Sequence, residues 1–103
     1  MATENTYNII VTDADLGEFV HQGPLKIQGI LLISTGGPAS VAAGSDYALT
    51  DDNDVTIWRA TTPANPFAIY HPMTAYFPQG LKCSEFDDAD AQIIIMKAWG
   101  WGS

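Results

Sequence analysis

The sequence has 103 residues, of which 47% are apolar and 16% are charged. Twelve acidic residues against four lysines and arginines give a net charge of −8 at pH 7. This length predicts a single domain over residues 1–103 with one core, and the strand pattern described below makes it a β domain. The scarcity of basic residues argues against a nucleic-acid or anionic-membrane partner, since both require clustered Lys and Arg.

The sequence shows neither a candidate signal peptide nor an apolar run long enough to cross a bilayer. We therefore expect a cytoplasmic product, or a component of a particle assembled there. Cys83 is the single cysteine, which excludes a disulfide within the chain. It lies in a strand-like run, and we expect a small buried apolar group rather than a catalytic thiol.

Short elements are predicted throughout the first third of the chain, after a polar and loose segment at residues 2–6. Residues 7–12 alternate as a half-buried strand does. A helical turn with a capping Asp is predicted at residues 13–16, and a short strand at residues 18–21. The strand Leu25–Thr35 follows, and we expect the fold to be organised around it.

The rest of the chain contains further β-rich runs separated by Pro, Gly and Asp. The clearest is a hairpin whose strands, residues 46–50 and 55–60, flank the acidic loop Asp51–Asp54. The other predicted strands are residues 39–43, 67–70, 74–77, 81–86 and 91–99. All six prolines are placed between strands, because proline cannot donate to the strand ladder. About eight short strands separated by turns predict an all-β fold, an antiparallel β-sandwich or a jelly-roll-like arrangement.

Two of these strands, Leu25–Thr35 and residues 91–99, are apolar on both faces, and we expect both to be central. In the first strand, one face is predicted to carry Leu25, Ile27, Leu31 and Ile33, and the opposite face Ile30 and Leu32. In the last strand, one face is predicted to carry Ile93 and Ile95, and the opposite face Ile94 and Met96. Side chains that point both ways must be covered by a second sheet or by a neighbouring molecule. The residues predicted to contact another copy or a partner protein are Ile30, Leu32, Ile94, Met96, Trp99 and Trp101.

We find no catalytic, metal-binding or cofactor-binding motif, and we expect the protein not to be an enzyme. The loops Asp51–Asp54 and Asp87–Asp90 hold possible calcium ligands, but the EF-hand pattern is absent and Asp is a preferred turn residue. His21 and His71 lack zinc-ligand spacing and are expected at strand edges or in loops. A small hydrolase is a third hypothesis, without a G-x-S-x-G motif to support it.

The aromatic residues suggest an alternative function. Tyr70, Tyr76 and Trp101 could stack sugar rings, which would make the chain a carbohydrate-binding or host-attachment module. Trp58 and Phe77 are predicted to pack in the core instead. A flat exposed row of aromatic side chains would favour sugar binding, whereas packing between subunits would favour assembly.

The order of these segments resembles that of small tailed-phage virion proteins, in which a Gly-Ile strand leads to a hairpin and a Gly-Leu strand precedes the last strand. The matching residues are Gly29, Ile30, Ser34, Val41, Leu49, Asp51, Gly80, Leu81 and the run Ile93–Ile95. The resemblance implies a capsid decoration (cement) or head-tail accessory protein with no catalytic residue. It also implies a homotrimer located in the virion, with the major capsid protein or another virion protein as partner. The Trp-Gly-Trp-Gly-Ser ending and the acidic turns depart from that pattern.

Overall fold

A computed structural model describes residues 2–35, 41–63 and 67–98. The chain forms two antiparallel β-sheets that pack face to face, which confirms the predicted β-sandwich. The predicted helical turn is present as a single 3-10 turn, Asp13–Asp15, and the described residues contain no α-helix.

The strands in chain order are β1 (Thr3–Glu4), β2 (Asn8–Val11), β3 (Phe19–Gln22), β4 (Leu25–Ser34), β5 (Asp46–Thr50), β6 (Thr56–Thr61), β7 (Ala68–Phe77), β8 (Gly80–Phe86) and β9 (Ala91–Lys97). The five-stranded sheet has the order β1-β2-β9-β4-β7, and the four-stranded sheet has the order β3-β8-β5-β6. Both two-faced strands, β4 and β9, are therefore central, as their sequences predict.

The core lies between the sheets and is built from aliphatic residues in register across neighbouring strands. Ile95 of β9 pairs with Ile9 of β2 on one side and with Ile30 of β4 on the other, and all three are fully buried. The four-stranded sheet contributes Leu49 and Trp58 from β5 and β6. Because each buried aliphatic side chain stabilises a fold by roughly 1.5–3 kcal/mol, this layer is the main source of stability.

The predicted face assignment of β4 is wrong, and a β-bulge is the reason. The register of β4 shifts between Ile27 and Gly29 against both of its neighbours. Against β9 the extra residue is Gln28, and the alternation of β4 reverses there, so the inward side chains are Leu25, Ile27, Ile30 and Leu32, all at most 2% exposed. Leu31 and Ile33 consequently point outward and are half-buried.

Two further predictions about the strands need correction. The two strands predicted at residues 67–70 and 74–77 are parts of one ten-residue strand, β7 (Ala68–Phe77), which runs through Pro72. A proline is tolerated there because β7 is an edge strand, and an edge strand can lack one donor on its free side. Residues 41–43 are not in a strand, and the other part of that predicted run, residues 39–40, lies outside the described residues.

The side of the sandwich formed by β1, β3 and β9 is closed by a polar cluster. Glu4 of β1 is contacted by Nδ1 of His21 at 2.9 Å and by Nζ of Lys97. The same Nζ donates to the carbonyl of Asn5 at 2.8 Å, and Nε2 of His21 lies 3.1 Å from the carbonyl oxygen of Pro24. Residues 2–6 were predicted to be loose because they carry no alternating apolar pattern, but Thr3–Glu4 forms β1, which pairs with β2.

Candidate functional site: the outer face of the five-stranded sheet

An apolar row crosses the outer face of the five-stranded sheet. Ile94 of β9 pairs with Ile10 of β2 and with Leu31 of β4, and Leu31 pairs in turn with Tyr70 of β7. Four residues from four adjacent strands therefore lie side by side on the face that points away from the core. Apolar side chains aligned in this way contact one another across the strands.

Two more aliphatic side chains extend this row along the strands. Met96 lies two residues beyond Ile94, and Ile33 lies two residues beyond Leu31, so both share the outward side. We call these six residues the outer apolar face: Ile10, Leu31, Ile33, Tyr70, Ile94 and Met96. The five aliphatic members are half-buried and stand apart from the core cluster, and Tyr70 is 51% exposed.

Tyr70 lies over a glycine of the neighbouring strand. A Cβ atom placed on Gly29 would be 2.6 Å from both Cε1 and Oη of Tyr70, so the ring occupies the space that a side chain would fill. Gly29 is buried as a result, although it is on the outward side of β4. The aromatic ring thus covers the exposed backbone at the bulge and makes the face continuous.

The predicted interface residues fall into three groups. Ile94 and Met96 belong to the outer apolar face. The prediction that Ile30 and Leu32 contact another molecule is wrong, because both are 0% exposed and lie in the core between the two sheets of one copy. Trp99 and Trp101 lie outside the described residues.

Among the other members of the outer apolar face, the sequence singled out Tyr70 as a possible sugar-stacking residue, whereas Ile10, Leu31 and Ile33 were missed. Leu31 and Ile33 were assigned to the wrong side because the bulge at Gln28 leaves no mark in the hydrophobic pattern. Ile10 carried a signal that could have been used, since it is an aliphatic residue on the polar side of β2, between Asn8 and Thr12.

Charge is distributed unevenly between the two outer faces. Among the strand residues of the five-stranded sheet, Glu4 is the single acidic one, and it points inward to Lys97 and His21. Lys26 is the one charged residue on the outward side of these strands. The other eleven acidic residues of the chain lie in the four-stranded sheet and in the loops and turns.

The outer face of the four-stranded sheet carries an ion-pair network instead. Arg59 of β6 donates to Glu85 of β8 at 2.7 Å and to Asp46 of β5 at 3.1 Å. Ala48 lies in register between Arg59 and Glu85 and is 1% exposed, so the long side chains cover it. A hydrogen bond from the Thr61 hydroxyl and the nearby Arg59 hold the pKa of Asp46 below its usual value.

Three carboxylates of this region, those of Asp46, Glu85 and Asp87, have oxygen atoms within 4.8 Å of one another. Oxygen ligands of this kind suit a hard cation such as calcium. Here they already accept hydrogen bonds: Arg59 satisfies Asp46 and Glu85, and the backbone N–H of Asp46 donates to Asp87 at 2.7 Å. A cation would have to displace the guanidinium, so this cluster is best described as part of the sheet's own ion-pair network.

The acidic loops have the turn geometry that their sequences predict. Oδ1 of Asp51 accepts from the backbone N–H groups of Asn53 at 2.9 Å and Val55 at 3.0 Å. Oδ1 of Asp88 accepts from the backbone N–H of Asp90 at 3.0 Å. These carboxylates stabilise the turns, which is the ordinary role of Asp between strands.

The reactive side chains named from the sequence are held in structural contacts. Cys83 is fully buried, as predicted, and burial together with the charge of Asp15 raises the pKa of its thiol to about 12. His71 accepts a hydrogen bond from the Trp58 indole, and His21 belongs to the Glu4 cluster. Both histidines lie in edge strands, β7 and β3, which confirms the predicted placement.

Comparison with protein-family models, with curated proteins and with solved structures finds no match to this chain. The described residues also contain no helix long and apolar enough to span a bilayer. The outer apolar face is therefore the feature of the molecule from which a function can be argued.

Proposed function

We propose that this protein is a non-enzymatic structural component of a phage virion, a capsid decoration protein that binds the major capsid protein and stabilises the shell as a homotrimer. The observation that carries the proposal is the row Ile10, Ile94, Leu31 and Tyr70 on the outward side of a sheet. A large apolar patch on a soluble domain marks a protein contact. The segment order described above supports a virion protein in particular.

The chemistry of the described residues supports a binding role over catalysis. A thiol whose pKa lies near 12 is protonated at neutral pH and is a poor nucleophile. His71 is engaged with Trp58, so its Nδ1 is occupied as an acceptor and is not available to a nucleophile there. A decoration protein needs neither group, because added contacts stabilise the assembled state by mass action.

The test is electron cryo-microscopy of virions from the source phage, with and without the gene for this chain. We expect density of the size of this domain on the outer surface of the capsid, lost in the deletion particles. The deletion particles should also release DNA at a lower temperature. Absence of the chain from purified virions would overturn the proposal, and density in the tail or head-tail connector would replace it with an accessory role.

A second candidate, carbohydrate binding, is favoured by one specific observation. Tyr70 and Tyr76 are 51% and 49% exposed, and both lie on the outward side of β7. Two exposed aromatic rings on one strand could stack on a glycan. A glycan array would test this, with Tyr70→Ala and Tyr76→Ala as the matched variants; binding that both variants abolish supports it, and an array without binders removes it.

A further inference from the structure

We propose that the outer apolar face is the surface through which copies of this chain associate, with the faces of neighbouring copies packed together around the symmetry axis of the oligomer. This inference rests on the proposed function for the role of the assembled species. The surface itself is argued from the described residues alone.

The first argument is that this face is unusual for an antiparallel sheet. A sheet with one face on the core normally alternates apolar inward and polar outward residues. In the central strands β9 and β4, Gln92 and Lys26 are outward polar residues near the strand ends, but the outward positions between them include Ile94, Met96, Leu31 and Ile33, with Gly29 covered by Tyr70. Leaving these side chains in water forgoes the free energy that their burial would give.

The second argument is charge, and it selects another copy as the occupant. A basic partner would be recognised best by outward carboxylates, and an acidic partner by outward lysines. The outward side of this sheet has few charged groups of either sign: its strand residues include no outward Asp or Glu, and Lys26 is the one outward cation among them. Two copies that each carry a net charge of −8 repel, so they can meet closely only through a surface that excludes carboxylates.

The third argument is size. Strands lie about 4.8 Å apart and rise about 3.3 Å per residue. The strands β2 (4 residues), β9 (7 residues), β4 (10 residues) and β7 (10 residues) therefore present roughly 500 Å² in projection. A specific interface buries about 800 Å² of accessible surface per partner, and the accessible surface of corrugated side chains exceeds its projection. The outer side of these four strands is therefore large enough for a stable contact between copies.

The experiment is to measure the mass of the full chain by light scattering over a range of concentrations. We expect a multiple of 11.1 kDa for the natural sequence. Ile94→Glu and Leu31→Glu should each raise the dissociation constant by at least about tenfold, because a carboxylate buried without a partner is strongly unfavourable. Val55→Glu is the matched control: Val55 is 57% exposed in the loop before β6, and its substitution adds the same charge away from the face.

A natural chain that stays at 11.1 kDa at every concentration would overturn the inference. Oligomers that persist unchanged in Ile94→Glu and Leu31→Glu would also overturn it, because association would then use another surface. A dimer would support this surface while contradicting the proposed trimer. If Ile94→Glu is monomeric but still binds capsids, the outer apolar face is established as the self-association surface. The same result would refute the proposal that association is needed for capsid decoration.

A second measurement covers the case in which the glutamate variants fail to fold. Met96→Cys places a thiol on the outer apolar face, and Cys83 does not compete for labelling because it is fully buried. If copies pack through this face, maleimide labelling of the new thiol slows in proportion to the fraction of associated chain. A labelling rate that is independent of protein concentration, while the mass shows oligomers, would overturn the inference.

Discussion

The indole N–H of Trp58 donates a 2.7 Å hydrogen bond to Nδ1 of His71, and this bond joins edge strand β6 of one sheet to edge strand β7 of the other. Trp58 is 4% exposed, and the two rings meet at an interplanar angle of 64°. Since an indole N–H can only donate, Nδ1 of His71 carries the lone pair. Because β6 and β7 are both edge strands among the described residues, this contact links the two sheets along one side of the sandwich.

Removing the acceptor should therefore destabilise the fold. His71→Leu leaves the buried Trp58 N–H without a partner, and we expect it to lower the free energy of unfolding by about 1–3 kcal/mol. His71→Asn is the matched control, because its amide oxygen can occupy the position of Nδ1. Urea denaturation followed by circular dichroism measures both. If both variants lose the same free energy of unfolding, the hydrogen bond from Trp58 is not the cause of the destabilisation.

Gly29 should be coupled to Tyr70. Gly29→Ala places a Cβ 2.6 Å from the Tyr70 ring and forces it aside, at a cost of about 0.5–1.5 kcal/mol if the ring leaves its preferred rotamer. In a Tyr70→Ala background the same substitution should cost less, since the space is then open. A double-mutant cycle in urea measures the coupling energy. Additive effects would mean that the ring does not cover Gly29 in solution.

Gly80 should tolerate no side chain. Its φ is +94°, and a Cβ would lie 2.0 Å from the carbonyl oxygen of His21 in the paired strand β3. We expect Gly80→Ala to lower the free energy of unfolding by about 2–4 kcal/mol. The alanine must adopt a positive φ, which is strained for a residue with a Cβ, and the backbone of β3 must also move to make room for the Cβ. Gly23→Ala is the control, with φ +90° and open space around the Cβ. The loss of stability in Gly23→Ala measures the effect of the positive φ alone. Thermal unfolding of each variant gives the comparison.

The Glu4 cluster should make stability depend on pH in the acid range. Partial burial alone would raise the pKa of Glu4, but hydrogen bonds and charge from Lys97 and His21 outweigh it and lower the pKa below 4.5. A lowered pKa in the folded state means that the contribution of Glu4 is present above pH 4.5 and is lost as the pH falls through the lowered value.

Glu4→Gln tests whether the contribution of Glu4 to stability is lost as the pH falls. The variant should be less stable than the natural chain above pH 4.5, and the difference should shrink as the pH falls below it. Denaturant unfolding at a series of pH values gives the two curves. A constant difference between them would show that the charge of Glu4 does not contribute.

The Cys83 thiol should react only when the domain opens. Full burial and a pKa near 12 keep it protonated and inaccessible at neutral pH. We expect its labelling by a soluble thiol reagent to follow the rate or population of unfolding, so that urea accelerates it steeply. Rapid labelling without denaturant would contradict the burial of this residue.

The sequence predicted most of this fold because alternation and turn residues are local signals. The hairpin of β5 and β6 and the central placement of β4 and β9 followed directly from them. The outward direction of Leu31 and Ile33 could not be predicted from local signals, because it depends on how β4 pairs with β7 and β9 around Gln28. The short strand β1 was missed for a similar reason: Thr3–Glu4 is held by pairing with β2 rather than by its own propensity.

The same bulge has a consequence for how the protein surface can change. Ile30, Leu31, Leu32 and Ile33 are nearly equal in size and hydrophobicity, so their identity does not tell β4 which pair belongs inside. Deleting Gln28 would remove the bulge and leave a regularly alternating strand with Ile30 and Leu32 still inward. Pairing Gln28 as an ordinary strand residue would instead exchange Ile30 and Leu32 with Leu31 and Ile33 at almost constant core volume. In this strand the choice between interior and exterior is therefore encoded by the bulge rather than by residue type.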